Sequence, residues 1–358
     1  MPGTAEILEQ HRRRAYAGFA AETARLAREG GDSARRGSRE VYDESGARMY
    51  TEPTVQDVHV NVPLSNLAVN IRSAGFIGDG LFPILPVAKD SDLYYFFNAG
   101  DWLRDEVQIR DPAAYAREAQ YSVGTSNYNT TERAIAKIIT QSVLDNSDSA
   151  LRPRQKGVQF VMDKMALGRE VRIVNQVTST SNVGSGVALA GANRWSAKGT
   201  SDPISDVRTG MDFILTNVGK RPNVLAVGYQ VDLALMDHPD ILSRLPSTIT
   251  QNPAAVRAAL PSIFGVERYM VGDGIINRAP RGAANSLVSI WGSNAVLAYV
   301  DPDPALDSVT AGFTFARFAA RMRQGEDTRG KFIWIEGEEK TDERIVERNC
   351  IYNFTTVL

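Results

Sequence analysis

The sequence is poor in the side chains that most often build reactive centres. Cys350 is its single cysteine, which excludes an intrachain disulfide framework and a structural zinc site built on cysteines. The three histidines, His11, His59 and His238, are far apart, and none has the spacing of a metal-binding pair on one helix. We therefore expect no bound metal and no disulfide-bonded scaffold.

Long apolar runs and an excess of one charge are also missing. No apolar stretch approaches the roughly 18 residues of a membrane-spanning helix, and the N-terminus lacks the apolar core of a signal peptide. The formal net charge of −2 gives no overall signal for nucleic acid or membrane. We expect a protein that is made and used in a reducing cytoplasm, without contact to a membrane.

The local motifs of common enzymes are absent from the sequence. There is no P-loop, and the glycines of Gly75–Gly80 miss the spacing of a dinucleotide-binding turn. The segment Asp301–Pro304 is more typical of a turn than of a catalytic carboxylate pair. Cys350 lies in a predicted strand, which favours a packed thiol over a nucleophile. We predict a chain that is not an enzyme, with no catalytic residue and no cofactor.

Arginine is the predominant basic residue: 32 of the 40 basic residues are Arg. A GC-rich genome would produce this bias, and so would selection for the bidentate ion pairs that arginine forms at interfaces. Residues 1–63 are polar and poor in large apolar side chains, so alone they cannot bury enough surface to offset their ordering entropy. We expect an N-terminal arm held by the assembly. Its candidate DNA- or interface-facing residues are Arg12, Arg13, Arg14, Arg35 and Arg36, and neighbouring acids nearly cancel their charge.

A second polar segment occupies residues 86–130. Two strands, predicted from VAKDSDLYYFF and QYSVGTSNYNT, flank the charged stretch Asn98–Ala119. The segment is too long for an ordinary connection, and a two-stranded ribbon is only marginally stable unless it packs on something. A mobile surface loop is the alternative, but the pattern favours an arm that reaches a neighbouring subunit. The expected inter-subunit contacts are Trp102, Arg104, Asp105, Arg110 and Tyr115.

One long amphipathic helix follows, predicted from Arg152 to Thr178. Pro153 suits a first helical turn, and apolar residues at three- to four-residue spacing form one stripe. These residues are Val158, Val161, Met162, Met165, Val171 and Val174. Helices then alternate with apolar strands such as NVLAVGY. Lys331–Glu336 and Ile345–Thr355 are predicted to form a closing hairpin around the charged turn Gly337–Lys340.

From about Leu64 onward, this order of segments resembles the major capsid proteins of tailed bacteriophages, which have the Hong Kong 97-type fold. LRPRQKGVQFVMDKMALGREVRIVNQV is similar to the spine helix of that family, with Glu170 in its late acidic position. The most specific stretch is GKRPNVLAVGYQVDLALMDHPDI, which ends in the family's His-Pro pair, here His238-Pro239. Further segments that match the pattern are NRWSAKGTSDPISDVRTGMDFI, VERYMVGDG, WGSNAVLAYV and AGFTFARF.

The resemblance implies an α+β, Hong Kong 97-like capsid fold with four parts. An N-arm covers residues 1–63, and an extended loop covers residues 86–130. An axial domain, around fivefold and sixfold axes, covers residues 204–320. The peripheral domain, which carries the spine helix, combines residues 64–85, 131–203 and 321–358.

In function, the resemblance implies a major capsid protein that self-assembles through hexamers and pentamers. The icosahedral head shell would enclose packaged double-stranded DNA without sequence specificity. The implied partners are a scaffolding protein, a portal and a decoration protein, with assembly in the host cytoplasm and a final place in the virion. An encapsulin-type nanocompartment shell, which holds protein cargo, is the alternative reading. An unrecognised α/β enzyme is a more distant one.

Overall fold

The structure, a computed structural model, describes residues 41–42, 48–49, 75–97, 99–111, 115–146, 152–280, 282–305 and 308–358. The chain divides into two units, Met1–His59 and Val60–Leu358. In the first unit the described residues form one antiparallel pair, β1 (Val41–Tyr42) with β2 (Arg48–Met49). The five candidate arginines of the N-arm lie outside the described residues.

The second unit mixes strands and helices, as the α+β prediction requires. Its strands are β3 (Ile84–Pro86), β4 (Ser91–Phe97), β5 (Val123–Asn129), β6 (Thr131–Thr140), β7 (Ser185–Ala188), β8 (Val224–Gly228), β9 (Arg268–Gly272), β10 (Ile275–Asn277), β11 (Leu287–Ser289), β12 (Ala295–Ala298), β13 (Gly312–Asp327), β14 (Phe332–Ile345) and β15 (Ile351–Thr355). Its helices are α1 (Gly78–Leu81), α2 (Ala99–Trp102), α3 (Gln141–Asp145), α4 (Pro153–Val177), α5 (Pro203–Val218), α6 (Tyr229–Met236), α7 (Pro239–Leu242), α8 (Ser247–Thr250) and α9 (Pro253–Phe264). None of these helices is long and apolar enough to cross a bilayer.

A four-stranded sheet of order β3-β13-β14-β6 supports the long helix. At its centre, β13 and β14 form a long antiparallel hairpin whose register shifts between Ala316 and Arg321. The chain reverses between Asp327 and Phe332, and Lys331 takes a left-handed φ of 50° in this turn. Strand β6 completes the sheet by pairing antiparallel with β14.

The predicted closing hairpin is therefore wrong in its turn and in its partners. Gly337–Lys340 lies in the middle of β14, not at a reversal. Its charged residues suggest a solvated turn, yet Glu338 and Glu339 are buried. They lie 3.0 Å and 2.6 Å from the guanidinium nitrogens of Arg323 and Arg172, respectively. Buried ion pairs, which sequence spacing does not reveal, account for this charged run.

The spine helix α4 confirms the predicted long helix. Its 25 residues span about 38 Å at the usual rise. The first half of its apolar stripe faces the four-stranded sheet, and Val174 packs in the larger core. Val158, Val161 and Met165 are buried against the four-stranded sheet with Ile335 of β14. Gly337 permits the close approach, because a Cβ atom at this position would lie 2.5 Å from Cγ1 of Val161.

A second sheet, of order β7-β15-β12-β8-β9, carries the larger apolar core. Every residue of β8 and β12 is buried, as the apolar run NVLAVGY predicts. The predicted domain division assigns β7 and β15 to the peripheral domain. The pairing instead puts them beside axial strands, because β15 runs antiparallel to β12 and parallel to β7. The last strand of the chain thus returns to the axial sheet.

Replacing Gly337 with Val should destabilise the subunit, because the new side chain would overlap Val161 and Met165. Overpacking of this kind costs about 1–3 kcal/mol. Urea unfolding of unassembled protein would measure the change in the free energy of unfolding. Gly199→Ala is the control, since a Cβ at Gly199 meets nothing within 4 Å. Equal stability of Gly337→Val and wild type would show that the helix does not pack as described.

Candidate functional site

The extended loop begins as a ribbon fixed to the four-stranded sheet. Strands β4 and β5 pair antiparallel, which confirms the two strands predicted to flank the charged stretch. On one face of the ribbon, the rings of Tyr94 and Tyr128 lie 5.3 Å and 4.7 Å, centroid to centroid, from Phe315 of β13. All three side chains are buried. This aromatic contact sets where the ribbon leaves the body of the protein.

The other face of the ribbon and the loop beyond it expose large apolar side chains. Leu93 and Tyr95 of β4 are about half exposed, at 53% and 50%. Further along, Val107, Ile109 and Tyr115 are exposed at 93%, 101% and 100%. We call these last three residues the apolar tip. A cluster of apolar side chains that the chain itself leaves uncovered is typical of a surface that binds a partner.

Four of the five predicted loop contacts border one open cavity. They are Trp102, Arg104, Arg110 and Tyr115. The carboxylate of Asp105 instead accepts a hydrogen bond from the backbone N–H of Val107, at 3.3 Å. Sequence reasoning missed Val107 and Ile109, although they are the only large apolar residues between Arg104 and Asp111. Their isolation among charged residues was the available signal.

The loop also holds its own base through polar contacts. The carboxylate of Asp101 accepts a hydrogen bond from the backbone N–H of Ser122, at 3.0 Å, and another from its hydroxyl group. These hydrogen bonds lower the pKa of Asp101. Arg104 lies 3.6 Å from Asp101 and 3.5 Å from Glu106, so its charge is partly balanced inside the loop.

Glu170 of the spine helix joins three parts of the second unit. Its Oε1 accepts hydrogen bonds from Nε1–H of Trp291, at 2.7 Å, and from the backbone N–H of Ile77, at 3.2 Å. Its Oε2 accepts one from the backbone N–H of Gly78, at 2.7 Å. The side chain is only 2% exposed. Burial is the largest influence and raises the pKa of Glu170, although the three hydrogen bonds act in the opposite direction.

A buried ion network lies beside this junction. Arg172 donates from Nε and Nη2 to the two carboxylate oxygens of Glu343, at 2.9 Å and 2.8 Å, and from Nη2 to Glu339, at 2.6 Å. Arg169 lies 3.1 Å from Asp79 and 3.6 Å from Glu339. Burial raises the pKa of Glu339. Burial acts in the same direction on Glu343, but the hydrogen bonds and charge of Arg172, together with a hydrogen bond from Thr341, lower the pKa of Glu343. The network ties the spine helix to β14 and α1.

One cluster has the residue types of a hydrolytic triad. Ser201 Oγ lies 3.0 Å from Nε2 of His238, and Asp240 lies 3.7 Å from Nδ1. However, Nδ1 accepts the backbone N–H of Asp240, so the proton of the neutral ring is on Nε2 and points at Ser201. Burial lowers the pKa of His238. A ring in this tautomer cannot take the serine proton, and it serves instead to cap helix α7.

Cys350 is likewise a packing residue. It lies in the short turn Arg348–Cys350 that precedes β15, rather than within the predicted strand. The side chain is fully buried, and burial raises the pKa of its thiol far above the usual range. A thiol that stays protonated is a poor nucleophile.

Known proteins resemble this chain in sequence and in fold. The major capsid protein of Burkholderia phage BcepMu is 26% identical over 243 residues, which are 67% of this chain and 76% of that protein. A phage-related protein from Bordetella bronchiseptica has a TM-score of 0.65 at 22% identity, over 84% of this chain and 98% of that one. The capsid structure of cyanophage P-SCSP1u has a TM-score of 0.53 at 8% identity, over 88% and 96%. No family model matches the chain.

In sequence the chain is similar to the major capsid proteins of phages. Its architecture is the Hong Kong 97-like capsid fold, which confirms the resemblance read from the sequence. The capsid protein is thus a shell-forming subunit that associates with copies of itself, and it is a virion component. Its relatives are structural proteins, so the nanocompartment and enzyme readings are not favoured.

Replacing Glu170 with Gln should destabilise the subunit, because the amide would turn an N–H group toward one of the three N–H donors. An unsatisfied buried donor costs about 1–3 kcal/mol. Urea unfolding of unassembled protein at pH 5 would measure the loss. Trp291→Phe is the control, because it removes one N–H donor without placing two donors face to face. The stability lost in Trp291→Phe should therefore depend on pH differently from the stability lost in Glu170→Gln.

That pH dependence has a defined sign. The folded-state pKa of Glu170 lies above the usual value of 4.5. Relative to a side chain that does not titrate, the stability that Glu170 contributes is therefore fully present below pH 4.5 and is lost as the pH rises through the folded-state pKa. The stability advantage of wild type over Glu170→Gln should shrink across that range. An advantage that grows with pH would contradict the dominance of burial at this site.

Proposed function

We propose that this capsid protein builds the icosahedral head shell of a tailed phage around packaged double-stranded DNA. The apolar tip carries the proposal. It stands at the end of a ribbon whose base is fixed by Tyr94 and Tyr128, and its own chain leaves it exposed. A neighbouring subunit is the surface that would cover it.

The strength expected of such a contact suits shell assembly. Full burial of one side chain of this size contributes about 1.5–3 kcal/mol, and the entropy of association offsets part of that gain. A single contact between two subunits would then be weak and reversible. A closed shell repeats the same contact many times, so the complete particle would be stable although each step of its assembly can be corrected.

The four predicted parts of the chain take separate roles in this proposal. Residues 86–130 overlap a neighbouring subunit, and residues 1–63 lie in subunit interfaces or near DNA. The axial domain, residues 204–320, meets its copies around the axes of pentamers and hexamers. The spine helix and the four-stranded sheet form the remaining peripheral body. The buried ion network supports this last assignment, because it makes helix and sheet one stiff layer.

The partners are those that a closed head requires. We expect a scaffolding protein during assembly, a portal at one vertex, a decoration protein on the finished shell, and DNA held without sequence specificity. Assembly would take place in the host cytoplasm. Electron microscopy of the purified protein should show closed shells, and particles isolated from cells should contain DNA. Particles filled with protein cargo instead would favour a nanocompartment.

Changing Val107 and Ile109 together to Asp should block shell formation and leave the subunit folded, because both side chains are exposed in the single chain. The unfolding midpoint should stay at the wild-type value. Size-exclusion chromatography with negative-stain microscopy would measure assembly.

The double variant Gln108→Asp with Gln120→Asp is its control. It adds the same two charges to exposed polar positions of the same loop, and it should still assemble. Normal shells from the Val107→Asp, Ile109→Asp protein would show that the tip lies free in the particle.

A further inference from the structure

One edge of the spine helix carries a row of cations interrupted by an aromatic ring. Arg152, Lys156, Phe160 and Lys164 follow one another at four-residue spacing, which places them on one ridge of the helix surface. All four are exposed, Phe160 at 47%. Lys137, which is exposed on neighbouring strand β6, reaches the same ring. We call these five residues the basic ridge.

The ring of Phe160 attracts two of the lysines. Nζ of Lys137 lies 5.9 Å, and Nζ of Lys164 lies 5.7 Å, from the ring centroid. At such distances the face of an aromatic ring attracts an ammonium group. Two side chains of like charge are thereby held at one ring. An exposed phenylalanine in this position organises a positive surface.

The charges at the N-terminus of the spine helix are opposite to those that a helix N-terminus favours. A helix N-terminus is positively polarised and favours acidic side chains. The first turn here contains no acidic residue, and Arg154 and Lys156 lie in it instead. Arg152, at the N-cap position, has a left-handed φ of 41° and makes no side-chain capping bond. Local costs that the fold itself does not compensate are expected at functional surfaces.

The use of lysine in the basic ridge and the lack of nearby counter-ions both indicate a surface that binds an anion. The sequence has 8 lysines against 32 arginines, yet three of the eight are in the basic ridge. No acidic residue occurs from 152 to 162, and Asp163, next to Lys164, is half-buried. Within the described part of the chain, no carboxylate forms an ion pair with the ridge. Its charge is therefore available to an outside anion.

We propose that the basic ridge binds the phosphate backbone of the enclosed DNA. The inference rests on the proposed function, and it places this edge of the spine helix toward the shell interior. From Arg152 to Lys164 the ridge extends about 18 Å, along which a duplex presents about ten phosphates. Four cations neutralise a minority of these charges. The contact is thus weak and salt-dependent, and it reads no sequence.

An acidic protein segment is the alternative partner for the charges of the basic ridge. DNA is favoured because the ridge offers a protein little apolar surface. Phe160 is exposed, whereas Val158 and Val161 beside it are buried in the fold. A specific protein interface usually centres on a buried apolar patch, but phosphate contacts require only positioned charge.

The test compares two triple variants of unassembled full-length protein. Lys137→Gln, Lys156→Gln and Lys164→Gln neutralise the ridge. Lys220→Gln, Arg221→Gln and Arg244→Gln remove the same charge from exposed positions elsewhere. Fluorescence anisotropy with a 30-base-pair duplex of random sequence would measure affinity across a range of salt concentrations.

The ridge variant should lose about tenfold or more in affinity, and its plot of log affinity against log salt should flatten by about 2 to 3, because each lost phosphate contact removes about 0.9 from the slope. The control should keep the wild-type slope. Equal losses in both variants, or none in the ridge variant, would overturn the proposal. Loss of poly-glutamate binding with unchanged DNA binding would overturn it in favour of an acidic protein partner.

Shell formation is read separately by negative-stain microscopy. The ridge variant should still form empty shells, since its cations are exposed and unpaired with the described carboxylates. If wild type binds DNA through the ridge yet forms no shells, the proposed function fails and the ridge assignment stands. If wild type forms shells and the ridge variant binds DNA as well as wild type does, the ridge assignment alone fails.

Discussion

The buried carboxylate of Glu170 is the contact on which the body of this protein depends. It gathers three N–H donors from chain segments that precede and follow the spine helix. The geometry also restricts its neighbours, because a Cβ at Gly78 would lie 2.6 Å from Oε2 of Glu170. Helix α1, the spine helix and the loop of Trp291 are thereby fixed at one point. The ion network around Arg172 extends this junction to β14.

A rigid body of this kind explains how one exposed segment can direct assembly. Burial and hydrogen bonding are concentrated in the two sheets and the spine helix, so we expect the subunit to fold without help from the extended loop. The loop is tied down by Tyr94 and Tyr128, and its apolar residues remain outside the core. Because the base of the loop is fixed, the four-stranded sheet determines the direction in which the apolar tip points. Repeated contacts of fixed direction are what a closed shell requires.

The sequence was most informative where structure follows from local periodicity. The stripe from Val158 to Val174 predicted the spine helix, and the apolar run at β8 predicted a buried strand. The sequence was misleading where charged residues suggested exposure to solvent. Gly337–Lys340 has the composition of a turn, but arginines that are distant in sequence pair with its glutamates inside the fold. The role of Glu170 could not be predicted, because its partners lie 93 and 121 residues away along the chain. The exposure of Val107 and Ile109 was not predicted, because two isolated apolar residues do not form a periodic pattern.

The central claim is that the extended loop becomes buried only between subunits, whereas the spine helix is buried within one. Hydrogen–deuterium exchange on free subunits and on assembled shells tests this most directly. Backbone amides of residues 104–111 and 115–121 should exchange rapidly in free subunits and slow markedly in shells. Amides of residues 161–174 should be protected in both states. Loop amides that exchange equally fast in shells, or a spine helix that gains protection only on assembly, would contradict the account.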